Sequence, residues 1–142
     1  MPLIREALDA GGNVEIPIRG VSMLPMLKEG RDSVILSPIK RKLKKHDIVL
    51  YLRSDGSYVL HRIAIAADNY SCIGDAQFVL ERGISYSQMI AVTVAFRRGR
   101  RLVKVTNPLY RLYCVIWKTS RPVRHFLRRA KRKICRMFGR KK

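Results

Sequence analysis

The sequence predicts a mainly β fold: a partly coiled antiparallel β domain with a basic C-terminal helical tail. Three observations carry this expectation. Short apolar runs of period two recur between residues 14 and 105, bounded by Gly, Pro, Asn or Asp. Apart from a short helix over 23–27, helical spacing is confined to the two ends of the chain. Charge is divided along it as well: the chain carries 30 Lys and Arg against 10 Asp and Glu, net +20, yet 18 of the basic residues fall within 97–142 and every acid within 1–96. The first part is therefore near neutral at +2 and the second is +18. We expect a β domain at 1–106 and a basic amphipathic tail at 107–142.

Taken in order, Pro2 followed by LIREAL predicts a short helix over about 3–9, stopped by Gly11 and Gly12. Val14, Ile16 and Ile18 alternate as a strand running into Gly20. The segment GVSMLPML at 20–27 follows at once, and Pro25 suits the first turn of a short helix over 23–27, which would set Ser22 at a strand-to-helix junction. SVIL at 33–36 reads as a strand ended by Pro38, and IKRKLKKH at 39–46 as an exposed basic connection. Strands are expected at 47–52, 58–65 and 69–73, with Asp55-Gly56 turning the first two into a hairpin. Further strands are expected at 78–80, 89–97 and 101–105, with a tight turn at Arg98-Gly99.

In the tail, Asn107-Pro108 caps a helix through 109–118. Ser120 and Pro122 restart one over 121–138, where Val123, Phe126, Leu127, Ala130 and Ile134 form an apolar stripe among Arg and Lys. A chain of 142 residues fits one domain, burying roughly 65–70% of its extended surface. The N-terminal MPLIREALDAGG lacks the long apolar core of a signal peptide or spanning helix, and LYRLYCVIWK at 109–118 is too short to span and carries Arg111. Cys72, Cys114 and Cys135 are odd in number and too widely spaced for a CxxC site, so we read them as thiols in a reducing compartment. No His, Cys and carboxylate cluster has metal-ligand spacing, and no Gly-rich loop follows a strand as a phosphate cradle. We expect no metal and no cofactor.

A serine hydroxyl is a weak nucleophile until a positioned base takes its proton. Of the three histidines, His46 lies in the charged connection and His125 in the basic tail, whereas His61 falls inside a strand pattern. Alternation would give it one face with Val59, Ile63 and Ile65. On spacing alone, His61 reads first as a packed core histidine and Ser22 as a helix N-cap.

The segment Gly20-Val21-Ser22-Met23-Leu24-Pro25-Met26-Leu27 resembles the G-x-SM-x-P-x-L nucleophile box shared by type I signal peptidases and the self-cleaving repressor peptidases. Gly30-Arg31-Asp32 resembles the glycine–acid turn that follows it, with Arg31 interposed, and LKKHDIVL at 43–50 the segment in which an acid precedes a buried strand. Val59-Leu60-His61-Arg62-Ile63 resembles the base box of the branch in which histidine replaces lysine. Cys72-Ile73-Gly74-Asp75-Ala76-Gln77 is similar to the final glycine-aspartate-asparagine box, departing from it at Ala76, and Glu81-Arg82-Gly83-Ile84 is similar to the acid-arginine-glycine segment of the histidine branch.

The resemblance implies a signal-peptidase-like serine endopeptidase cleaving a leader or signal-like peptide. Ser22 is then the nucleophile, His61 its base, and Glu81 or Asp75 the acid that orients His61. The amide N–H of Ser22, at the start of the short helix, is the expected oxyanion donor, since Gly20 has no side-chain hydroxyl to add. A Ser–Lys pair is the rival within the family, but Lys40, Lys42, Lys44 and Lys45 share one hydrophilic stretch where solvated ammonium groups make poor bases. The charge of 107–142 fits an anionic membrane surface, on which the tail would lay Phe126, Leu127 and Ile134 among headgroups. The protein is accordingly expected in the cytoplasm or peripheral on a membrane, with the side of that membrane left open. Nucleic acid is disfavoured: the 19 residues before Gly20 cannot hold a helix-turn-helix domain, and aromatic platforms are absent. The alternative is a non-catalytic membrane-surface or peptide-binding module in which Ser22 and His61 need not converge.

Overall fold

The computed structural model describes residues 2–120 together with Val123 and Phe126. Two compact units divide the chain, Met1–Asn107 and Pro108–Lys142. The first holds helix α1 (Pro2–Asp9) and strands β1 (Val14–Pro17), β2 (Asp32–Ser37), β3 (Ile48–Leu52), β4 (Tyr58–Ala66), β5 (Tyr70–Ile73), β6 (Glu81–Ile84), β7 (Met89–Arg98) and β8 (Arg101–Lys104). The second begins with helix α2 (Pro108–Thr119).

All strand pairs are antiparallel, in the order β1-β2-β7-β3-β4-β5-β6. The ten-residue β7 joins the two halves: β2 pairs with it over Val92–Arg98, β3 over Met89–Val92, and β8 over Ala95–Arg98. β2 alternates buried and half-buried residues, with Val34 and Leu36 fully covered, as expected of a strand with one face on a core. β3 is covered on both faces from Ile48 to Tyr51, which fits its central place. The core gathers around Val49, Tyr51, Ile63, Cys72, Ile84 and Val92. Cutting a side chain such as Ile63 back to Ala would cost about 2–5 kcal/mol.

The β3–β4 hairpin sets which residues share a face. Gly56 N–H donates to the Arg53 carbonyl at 3.0 Å and Arg53 N–H to that of Ser57 at 2.9 Å, while Gly56 takes φ 80°. This is a type I turn followed by a left-handed glycine, one residue longer than a two-residue hairpin loop. Its register pairs Leu52 with Tyr58 and Val49 with His61. A loop shorter by one would pair His61 with Leu50 and turn every β3 side chain over.

Three expectations are corrected. Residues 78–80 are not a strand: the strand lies at Glu81–Ile84, where Ile84 is buried opposite Tyr70 while Val79 stays 79% exposed. Burial of Ile84 decides the register. Residues 23–27 form turns rather than a helix, with a cis Leu24–Pro25 bond and a single helical-type bond from Leu27 N–H to the Met23 carbonyl. They fold inward, burying Met23, Met26 and Leu27. Ile65 does not share the buried face of His61 and Ile63, because β4 slips by a residue against β5 between Ile63 and Ile65 and leaves Ile65 45% exposed.

In α2, the rings of Tyr113 and Trp117, one turn apart, stack at 5.8 Å. The Thr119 hydroxyl donates to the Val115 and Ile116 carbonyls and the Ser120 hydroxyl to that of Trp117, adding side-chain donors at the end of the helix, where Ser120 N–H also binds the Ile116 carbonyl. Among the described residues no helix is long and apolar enough to cross a membrane. The helix expected over 121–138 lies outside the described residues apart from Val123 and Phe126.

Candidate active site

Ser22 sits in the turn that leaves β1, just past Gly20, whose φ of 77° reverses the chain. It is half-buried, and its carbonyl accepts the Ala76 N–H at 2.8 Å. The loop between β5 and β6 thus presses on the Ser22 turn. Any Cβ at Gly74 would stand 2.6 Å from the Ser22 carbonyl oxygen, so the close approach requires glycine there. A cleft of about 520 Å³ opens at this point, and both Ser22 and His61 line it. Ile16, Ile18, Met23, Leu50, Val59 and Leu60 make most of its wall apolar.

His61 comes from the middle of β4 and is 1% exposed. Its Nδ1 lies 3.2 Å from the Tyr51 hydroxyl and 3.5 Å from Glu81 Oε1, while the Tyr51 hydroxyl donates to Glu81 Oε2 at 2.6 Å. Arg53 closes the group, donating from Nε to Glu81 Oε2 at 2.9 Å and from Nη2 to Oε1. The Arg53 guanidinium holds the Glu81 carboxyl below its ordinary range, so Glu81 is an anion that only accepts. Burial, and then Glu81, push the Tyr51 phenol up, so it keeps its one proton and gives it to Glu81. Tyr51 can then only accept from His61, which places a proton on Nδ1 and leaves Nε2 bare. Burial also lowers the His61 pKa below the ordinary 6.5, with Glu81 opposing it, so the ring is neutral at pH 7. A neutral imidazole with its second nitrogen fixed by a carboxylate network is the form a general base requires.

Asp75 is placed differently. Its carboxylate accepts from Arg62 Nε and Nη2, both at 2.8 Å, in a buried fork-to-fork pair. Arg62 also donates to the His46 carbonyl at 3.1 Å and touches Met26 Sδ at 3.8 Å. Of the two acids offered as orienter of His61, Glu81 occupies that place, and Asp75 braces the loop that carries Ala76. Because Arg62 follows His61 directly, it leaves β4 on the opposite side, and the pair ties β4 to the loop against Ser22.

Among the described residues no lysine lines the cleft; Lys40 and Lys42 line a separate depression with Tyr70 and Tyr86. Burial pushes the Cys72 thiol up to about 12, which makes it an inert core residue. Among the described residues no group of His, Cys, Asp and Glu is arranged to hold a metal.

The chain matches no family model, no curated protein and no solved structure. Its chemistry therefore has to be read from the cleft itself.

Sequence reasoning missed Tyr51 and Arg53. Tyr51 reaches His61 diagonally, because the residues directly paired are Val49 with His61 and Tyr51 with Val59. The signal was present in Asp55-Gly56, but only the length of that turn tells whether Tyr51 or Leu50 shares the face of His61.

Proposed function

We propose that this chain is a serine endopeptidase of the signal-peptidase-like type that cleaves a leader or signal-like peptide through Ser22 and His61. One observation carries the reading: Ser22 and His61 line the same cleft, and the far nitrogen of His61 is held by Tyr51 and Glu81. A packed core histidine has no need of a serine across an open cleft.

In this reading His61 Nε2 takes the Ser22 proton as Oγ bonds to the peptide carbonyl carbon, and the imidazolium formed is stabilised by the Glu81 anion. Collapse of the tetrahedral intermediate breaks the C–N bond and returns the proton to the leaving amine. Water, deprotonated by the same nitrogen, then releases the acyl group and restores Ser22. The Ser22 amide N–H is the donor proposed for the oxyanion. With turns in place of the expected helix it has no helix dipole behind it, and one such donor contributes ~2.7–4 kcal/mol to the transition state.

The second unit fits attachment to an anionic membrane surface, with the protein peripheral to it. Leu109, Leu112 and Ile116 of α2 are exposed, and residues 108–142 carry 13 Lys and Arg and no acid.

The test is intact-mass monitoring of leader-bearing proteins in anionic liposomes, with native protein and Ser22→Ala side by side and a fluorophosphonate probe as a substrate-independent label. Cleavage and labelling by native protein alone support the reading. Folded, lipid-bound protein that neither cleaves nor labels is instead a binding module.

A further inference from the structure

Among the described residues, those lining the cleft include two arginines and no Asp or Glu. These are Arg19 and Arg53, set among apolar residues and the neutral His61. Arg53 is already neutralised by the bidentate Glu81 carboxylate behind the wall. Arg19 is not. It lies three residues before Ser22, is exposed, and forms no ion pair among the described residues. The carboxylates on nearby elements are engaged elsewhere: Glu15 with Arg97 and Ser33, Glu81 with Arg53 and Tyr51, Asp75 with Arg62. Glu6 and Asp9 of α1 form no ion pair with Arg19.

We infer that the cleft selects peptides bearing an acidic side chain close to the scissile bond, with Arg19 as the residue that reads it. The inference rests on the peptidase reading of the same cleft and adds the substrate class to it. An apolar groove alone would take a neutral segment with no charge preference. One uncompensated cation in its wall makes a carboxylate on the substrate favourable and an ammonium group unfavourable. Because Arg19 is solvated, the preference is modest and falls with salt: about two- to fivefold in kcat/KM for Glu over Gln at a single position, shrinking as ionic strength rises toward 1 M.

The experiment digests a diverse peptide mixture with native protein, Arg19→Gln and Arg19→Glu, reads the cut sites by mass spectrometry, and follows Ser22 labelling of the native protein by fluorophosphonate in parallel. Circular dichroism establishes that the variants are folded. The expected result is Asp or Glu enriched within about three residues of the native cut sites, lost in Arg19→Gln and replaced by Lys or Arg in Arg19→Glu. Ser22 labelling without acidic bias, without cleavage of acidic peptides, or with the same bias in Arg19→Glu overturns the inference and leaves the nucleophile intact. Absence of both labelling and cleavage removes the peptidase reading and this inference together.

Discussion

Substituting Asp75 by Asn separates the two acids by what they hold. The pair it breaks has two 2.8 Å bonds, with side chains 3% and 7% exposed. Arginine stays protonated in proteins, so Asp75→Asn leaves the Arg62 charge buried with one neutral acceptor where it had a carboxylate. Removing one partner of a buried pair costs about 3–5 kcal/mol, whereas replacing both with apolar residues of similar volume is often neutral or stabilising. For a unit of this size that loss lowers Tm by roughly 10–20 °C. Asp75→Asn should therefore unfold at much lower urea with an unchanged m-value, and the double variant Asp75→Leu with Arg62→Met should recover most of the loss. Glu81→Gln, at a carboxylate still 26% exposed, should cost far less stability and more hydrolysis. Urea titrations followed by circular dichroism measure all three. A loss below about 1 kcal/mol in Asp75→Asn, or a double variant as unstable as the single, refutes the bracing role assigned to the pair.

A general base at His61 would work only while neutral, and burial lowers its pKa, so on the proposed mechanism kcat/KM should fall as pH drops through a midpoint below 6.5 and stay flat through pH 7–8; a midpoint above 7 in the pH-rate profile contradicts that role for His61. Tyr51→Phe deletes the acceptor of the Nδ1 proton and one donor to Glu81, so hydrolysis should fall by about 1–3 kcal/mol in transition-state terms, read from kcat/KM. Unchanged kcat/KM in that variant would mean that Glu81 reaches His61 without help. Gly74→Ala must displace the Ser22 carbonyl, so fluorophosphonate labelling of Ser22 should slow at least tenfold in protein that remains folded.

Much of the sheet was legible because its signals are local. The alternation in Val34 and Leu36, the run Ile48–Leu52 and the Asp55-Gly56 turn each name a strand or its end without reference to the rest of the chain. What failed depended on partners far away in sequence. The β6 register is decided by Tyr70 and Cys72 across the sheet, and the exposure of Ile65 by a one-residue slip against β5. The turns at 23–27 bury Met23, Met26 and Leu27, whose i, i+3, i+4 spacing would equally suit a helix, so the local pattern does not separate the two. For the same reason Ser22, His61 and Glu81 could be nominated from short boxes, while Tyr51, Arg53 and the separate task of Asp75 could not. A hydrogen bond from a neighbouring strand depends on register, and register depends on the length of a single turn.

The place of β7 in the sheet bears on when the cleft comes into being. Ser22 lies between β1 and β2, at one end of the strand order, and His61 and Glu81 on β4 and β6, beyond β3. Those two groups of strands meet in the sheet only through β7, which is made last but one. At about 5–20 residues per second a ribosome completes β1 and β2 roughly 3–12 s, and β6 roughly 1–3 s, before β7 is finished. Until then the nascent chain carries a serine and a histidine on separate pieces of sheet. A chain arrested before Met89 would hold every residue of the candidate site without the strand that joins its two halves in the sheet.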